Sequence, residues 1–528
     1  MTQLFHTVFP INALPAAQLV SEGIDEICHF SDIKLKAVER YYEQLDADLL
    51  FCFSDIVIQA DAMGAKISFD PESMPSVCRP ATQPFRVRVA SHPRMRVNAE
   101  VIGGLRRKFP DRPVAAMVYG PFTVAGQVAG EQEILRAVIK NPAQVHALLE
   151  KTLVCASDYA DFLLTAGGSL LWVSDPLASL LPPELFREFA GDPLSRLFLQ
   201  HAVPSALHIC GDTTRIVAEM VHTGVGGISF DQCMDLTTVE DAVPDSVAII
   251  GNLDPVEVLE LATSDIVGEA TGDLTAVMGI KFNFCLSSGC APPPTTPMAN
   301  LVRFVDVGHR SLADTGKWRK ELQDISICVH GGQRQAVKEK VQKLLSGDIE
   351  PALLLNSGLM RAIRKGSARY EAHFCHLPEI LLMVDAFYEG YQLICPHLPL
   401  NDNAPYQVAL GTVKGDIHEI GKDLVKIILE TTGVRVLDLG VDVEPERFLA
   451  AYIDSGIQII GLSAFNTSSR RQVERIVGLF RQQGCSQAVI LTGGAAMNQQ
   501  VAAGLGCHGY ARDAVTAVSL VKKFVAKV

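Results

Sequence analysis

Two groups of residues in this chain have the types and spacing for metal chemistry. The first is His208, Cys210 and Cys290. His208 and Cys210 stand two apart in a β-like run, so on a strand both point to the same side. Cys290 follows a later run of the same kind. One imidazole, two thiolates and an open fourth position are what a catalytic zinc ion requires. Zinc keeps a bound thiol as a nucleophilic thiolate near neutral pH. Three packed core side chains fit the same spacing, because free cysteine is often buried. Asp175 and Asp231 are the candidate catalytic acids beside this trio. Each fits as a fourth zinc ligand, as an acid bonded to a ligand, or as a cap of the next helix. The second group is Asp416-Ile417-His418-Glu419-Ile420-Gly421. A His in a strand-to-helix loop, with a carboxylate two residues before it, can present its ring to a large flat ligand. Gly421 lets backbone and ligand approach closely. A carboxylate on the far ring nitrogen fixes the tautomer and raises the basicity of the ring. Taken alone, the pattern also fits a structural or solvated loop His.

Elements must bring these residues together. β-like runs at 49–53, 114–119, 169–174, 206–210, 226–231, 247–251 and 280–284 alternate with helical patterns such as 133–139, 142–164, 183–189 and 215–222. This rhythm, over roughly 300 residues, predicts an α/β fold of the (β/α)8 TIM barrel type, with a doubly wound sheet as the alternative. Seven strands are evident and the eighth is not. Chemistry in a barrel sits at the carboxyl ends of its strands. Those ends gather Gly120, Asp175, His208–Asp212, Asp231, Gly251–Pro255 and Ser287–Pro292. Residues 333–346, 349–365 and 377–395 predict a helical bundle, and 396–405 a linker. Five further runs, at 406–413, 434–439, 457–463, 488–492 and 508–511, alternate with helices and predict a Rossmann-like, flavodoxin-like unit. The ligand edge of such a sheet carries the His418 loop, Ser463 and the pair Gly493-Gly494. Asn466, Thr467 and Ser468 bond the tail of a ligand or cap the next helix. The division expected is a barrel over 1–322, a helical cap over 326–400 and a ligand-binding domain over 405–528.

Composition removes several classes of function. The net charge is −13 with no dense Lys/Arg block, which argues against nucleic acid or an anionic membrane as partner. Thirteen Cys without a regular framework suit a reducing, cytoplasmic setting. The opening MTQLFHTVFPINALP lacks a basic start before an apolar core, so it does not read as a signal peptide. The longest charge-free run, Phe282–Val302, contains Gly289, Asn300 and four Pro, so it does not read as a membrane span.

Several motifs carry a family resemblance. Gly120-Pro121-Phe122-Thr123, Asp175-Pro176, His208-x-Cys210-Gly211-Asp212, Gly251-Asn252-Leu253-Asp254-Pro255 and Gly289-Cys290-x-Pro292-Pro293 resemble the uroporphyrinogen decarboxylase superfamily. More narrowly, they resemble its zinc-dependent methyltransferase branch, which passes methyl groups between corrinoid proteins and thiols such as coenzyme M. The resemblance spans about residues 8–315 and implies Zn2+ on His208, Cys210 and Cys290. The decarboxylases proper carry an Arg-rich N-terminal segment that grips substrate carboxylates. No Arg precedes residue 35 here, which disfavours decarboxylation.

Asp416-x-His418-x-x-Gly421, Ser463-x-Phe465 and Gly493-Gly494 resemble the cobalamin-binding domain of methionine synthase and of small corrinoid proteins, which have Leu where this chain has Phe465. The resemblance implies cobalamin as cofactor. His418 would be the lower ligand of cobalt and Asp416 its partner. Ser463, Gly493 and Gly494 would line the slot for the nucleotide tail, and the helical segment would cover the upper face. A barrel followed by a corrinoid domain resembles the chloromethane type of corrinoid methyltransferase fusion. That order implies methyl transfer from a small donor to the chain's own cobalamin, with zinc as Lewis acid or thiol activator. The implied partners are a separate methyl-accepting methyltransferase with a tetrahydrofolate or thiol acceptor, and a corrinoid reductive activase. The alternatives are transfer from the corrinoid to a thiol such as coenzyme M, and a non-catalytic cobalamin carrier.

Overall fold

The computed structural model describes residues 5–69, 74–81, 87–371, 376–398, 407–431, 434–466, 469–511 and 514–525. Thr467, expected near the cofactor tail, lies outside the described residues, as does most of the expected linker. The chain forms two compact units, Met1–Tyr391 and Gln392–Val528.

In the first unit, β1 (Val8–Phe9), β2 (Ala115–Tyr119), β3 (Leu170–Ser174), β4 (Ser205–Ile209), β5 (Gly227–Phe230), β6 (Ala248–Leu253) and β7 (Phe284–Ser288) form a parallel sheet in the order β1-β7-β6-β5-β4-β3-β2. Residues 48–50 close the ring between its two edges. Asp48 N–H donates to Val8 O (3.0 Å), Leu50 N–H to Pro113 O (2.9 Å) and Ala115 N–H to Leu50 O (2.8 Å). The eighth strand that the sequence did not reveal is thus β1, whose two residues are too few to show a period. The strand expected at 280–284 lies further along as β7. The helix Ser264–Met278 runs into a turn there, with Lys281 N–H on Met278 O.

Strands buried on both faces read as nearly unbroken apolar runs. Here Ser174, His208 and Ser288 stand at or next to the carboxyl ends of their runs. The interior is filled by large rings, with Trp172 edge-on to both Phe9 and Phe51. That packed floor keeps the polar residues on one rim. Helices at Arg319–His330, Arg334–Leu345, Arg361–Glu371 and Leu377–Ile394 follow the barrel, and residues up to Tyr391 belong to its unit. One of these helices is tied to the barrel by charge. Arg361 and Glu240 form a buried ion pair, and Lys365 Nζ donates to Glu240 Oε1 (2.9 Å) and Asp241 Oδ1 (2.7 Å).

The second unit has β8 (Val408–Val413), β9 (Val436–Val443), β10 (Ile459–Ser463), β11 (Val489–Gly493) and β12 (Gly509–Ala511), all parallel, in the order β9-β8-β10-β11-β12. The chain leaves β8 for β9 on one side and returns to β10 on the other. A ligand crevice lies outside the carboxyl ends of strands at such a switch point. In register across that end run Thr412, Ser463, Gly493 and Ala511. Among the described residues, no helix is long and apolar enough to cross a membrane.

Candidate functional site

The barrel rim brings His208, Cys210 and Cys290 together. His208 on β4 pairs in register with Ser174 and Ser229 on its neighbours. Its Nδ1 lies 3.0 Å from Ser229 Oγ, and its Nε2 lies 3.1 Å from Cys210 Sγ. The two sulfurs are 3.7 Å apart, and all three ligand atoms lie within 4.8 Å of one another. Two thiolates on a tetrahedral zinc, with bonds of about 2.3 Å, sit about 3.8 Å apart. The donor set and its spacing therefore fit zinc. With Nδ1 protonated and donating to Ser229, the Nε2 lone pair faces the sulfurs. The bond from the Cys210 thiol, with His208 nearby, holds the Cys290 thiol well below its ordinary range despite burial. Its bond to Cys290, reinforced by burial, pushes Cys210 up.

Asp231 braces the loop that carries Cys210. Its Oδ2 accepts Gly211 N–H (2.9 Å) and its Oδ1 accepts Cys233 N–H (3.1 Å). The Cys290 loop packs against the same turn, since a Cβ at Gly289 would lie 2.4 Å from Gln232 N. Asp175 is fully buried behind His208, and its N–H donates to His208 O (2.9 Å). One of its carboxylate oxygens accepts Thr123 N–H (2.7 Å) and Thr123 Oγ1–H (2.6 Å), while the other has no protein partner. Burial raises its pKa to about 6, against the pull of the Thr123 bonds.

Between about pH 4 and about pH 6 the native state therefore keeps a proton on Asp175 that the unfolded chain loses. Stability falls as pH rises from about 4 to about 6, and a cost of about 3 kcal/mol persists above that window. Asp175→Asn keeps an acceptor for Thr123 and carries no charge. Its stability relative to the parent is expected to grow across that window, as read by denaturant titration. A difference independent of pH would show that Asp175 does not ionise at this cost.

Some supporting residues were not singled out from the sequence. Ser229 is a simple hydroxyl residue whose role depends on strand register; Thr123 was quoted within a motif, but its bonds to Asp175 were not foreseen. Asp55, just beyond the run expected at 49–53, is buried and pairs with Arg94 Nη2 (2.5 Å), while Arg94 Nη1 reaches Asp61 (2.7 Å). Its place at a strand end was the available signal.

In the second unit the loop after β8 positions His418. Its Nδ1 lies 2.8 Å from Asp416 Oδ1, which also accepts the His418 N–H (3.1 Å). Asp416 Oδ2 accepts Phe465 N–H (2.6 Å) and Ser469 Oγ–H (2.9 Å). Burial raises the Asp416 pKa, but these donors outweigh it and hold the carboxyl below its usual range. A charged Asp416 accepts the Nδ1–H hydrogen bond and leaves Nε2 of the half-exposed ring free to ligate. Beside it, a mostly apolar cavity of about 170 Å³ runs over the sheet. Gly421, Ser463, Gly493 and Gly494 all line it, and a Cβ at Gly421 would meet nothing within 4 Å. A free imidazole nitrogen beside an apolar slot, with Ile417 and Phe465 exposed next to it, fits a corrinoid with an inserted tail.

The fold and sites define a two-part protein: a barrel with a nitrogen and two sulfurs at its rim, and a parallel-sheet unit with an imidazole near a mostly apolar slot. Residues 15–311 match the family model for uroporphyrinogen decarboxylase (URO-D), and residues 406–519 match that for the B12 binding domain. The chain belongs to the uroporphyrinogen decarboxylase family and carries a B12 binding domain fused to it. It is 27% identical over 259 residues to a methylated-thiol–coenzyme M methyltransferase of Methanosarcina mazei, covering 48% of this chain and 69% of that protein. It is also 27% identical over 211 residues to a corrinoid protein of Desulfitobacterium hafniense, covering 39% of this chain and 98% of the other. A solved methyltransferase structure from Methanosarcina mazei shares the fold, with a TM-score of 0.52 at 21% identity over 58% of this chain and 92% of that one.

Proposed function

We propose that this chain is a corrinoid- and zinc-dependent methyltransferase that moves a methyl group between a small one-carbon donor and its own cobalamin. One observation carries this reading: a single chain presents a His/Cys/Cys cluster at a barrel rim and an Asp-oriented imidazole near a mostly apolar slot at the carboxyl ends of a parallel sheet. When bound, a corrinoid supplies cobalt able to accept and release a methyl group, and zinc supplies Lewis acidity. His208, Cys210 and Cys290 would hold the zinc. Asp231 would fix the loop carrying Cys210, and Asp175, bonded to Thr123 and to the His208 carbonyl, would hold the strand ends in place. His418 would ligate cobalt through Nε2 while Asp416 holds the proton on Nδ1. Gly421, Ser463, Gly493 and Gly494 would take the nucleotide tail, with Thr467 assigned beside it.

We assign residues 1–322 to methyl transfer, 326–400 to the cap and 405–528 to corrinoid binding. A separate methyltransferase would unload the methyl group in the cytoplasm. A second reading, transfer from the corrinoid to a thiol, draws support from the Methanosarcina mazei relative, whose name gives coenzyme M as its acceptor.

The test is to load the full chain with cobalamin and zinc, reduce it, and offer chloromethane, methanol, methylated thiols or methoxylated compounds while following cobalt absorbance. Methylation of added thiol by the methyl-loaded protein would select the second reading. No exchange in either direction would sink both. His418→Ala keeps the slot, so cobalamin affinity should fall only about tenfold. The bound spectrum should lose the signature of a protein imidazole. An unchanged spectrum would remove His418 as ligand.

A further inference from the structure

We infer that Phe465 is a positioning residue for His418: it stacks on the imidazole and holds the ring in its ligating orientation when no metal holds it. The inference rests on the corrinoid reading above. The two ring centroids are 4.1 Å apart, with 26° between the planes. Offset stacking of this kind stabilises an aromatic pair beyond its buried area. The stack also closes a loop of contacts. Asp416 bonds His418 Nδ1 through Oδ1 and the Phe465 N–H through Oδ2, so one carboxylate sets both the ring and the backbone of its stacking partner.

Two restraints are needed because His418 is a loop side chain, 54% exposed. The Cβ–Cγ bond and the one hydrogen bond at Nδ1 hold the ring at two points and leave a limited rotation of its plane. A flat neighbour removes that rotation and leaves the Nε2 edge open. The Leu of the resembling family can fill volume at 465 but offers no planar face. Phe465 is itself 47% exposed, so nothing in the core requires an aromatic ring there.

The test is a double-mutant cycle in the full chain. Phe465→Ala and Phe465→Leu are made in the parent and in His418→Ala. Two quantities are read: hydroxocobalamin affinity by absorbance, and nitrogen splitting in the electron paramagnetic resonance of the cobalt(II) form. Phe465→Ala should weaken binding about three- to tenfold in the parent, and less than about twofold in the His418→Ala background. Phe465→Leu should fall between parent and Ala, and the fraction showing nitrogen splitting should follow the same order. Equal losses in both backgrounds would mean that Phe465 merely touches the ligand, and would overturn the inference. No loss in either would do the same. If the parent binds no cobalamin, the functional reading fails, and the stack is then judged in the metal-free protein. There the His418 ring protons should carry a ring-current shift that Phe465→Ala abolishes, and an unshifted ring in the parent overturns the inference.

Discussion

Cys290→Ser is expected to lower methyl transfer by at least about a thousandfold, the several kcal/mol that a Lewis-acid metal contributes to a transition state. The geometry behind this is narrow. Cys290 Sγ closes a triangle with Cys210 Sγ and His208 Nε2, and no other Cys, His, Asp or Glu joins that cluster among the described residues. Losing one thiolate leaves two ligands, fewer than the three protein ligands of catalytic zinc sites. Zinc per chain should therefore drop together with the rate, and added zinc should restore little of either. Cys233→Ser is the matched control. Cys233 is exposed and lies on the adjacent loop, and its thiol is pushed up to about 11 by burial and by Asp231, so it is a poor ligand. Full zinc content and rate in Cys290→Ser would place the chemistry elsewhere.

The sequence revealed most where the pattern was local. The five strand runs after residue 405 each lie between a turn and an amphipathic helix, and each is present as β8 to β12. The metal-type residues at the rim were legible because His208 and Cys210 interrupt and follow the apolar run of β4, and Cys290 follows that of β7. What stayed hidden depends on pairing across the chain. β1 is two residues long, and only its register with β7, Val8 opposite Leu286, makes it a strand. Ser229 matters only because β5 sets it opposite His208. Phe465 was visible as a departure from the resembling family, but its stack on His418 needs the loops after β8 and β10 to meet at the switch point. Asp416 was legible as a partner of His418. Its bonds to Phe465 N–H and Ser469 were not, since they join segments about fifty residues apart.

Gly421→Trp is expected to abolish cobalamin binding, by at least about a thousandfold, while leaving the metal-free protein folded. Gly421 is the second residue of the helix Ile420–Thr431, and its backbone does not require glycine, since it is absent from the positive-φ positions. An added Cβ meets no atom within 4 Å, and Gly421 lines the slot together with Ser463, Gly493 and Gly494. Gly in a helix costs up to about 1 kcal/mol relative to Ala. Gly421→Ala should therefore raise the stability of the metal-free chain and weaken cobalamin binding at the same time. Opposite signs in one variant separate the two reasons a glycine can be kept: a backbone need would make Ala destabilising, whereas a ligand need makes it stabilising and less able to bind. Denaturation of the metal-free protein and hydroxocobalamin titration of the same sample measure both. Gly494 supplies the contrast, with φ at +104° and a would-be Cβ 2.3 Å from Ala464 O, so Gly494→Ala should lose stability as well as affinity. Parent-like binding by Gly421→Trp would mean that the corrinoid tail does not enter this slot.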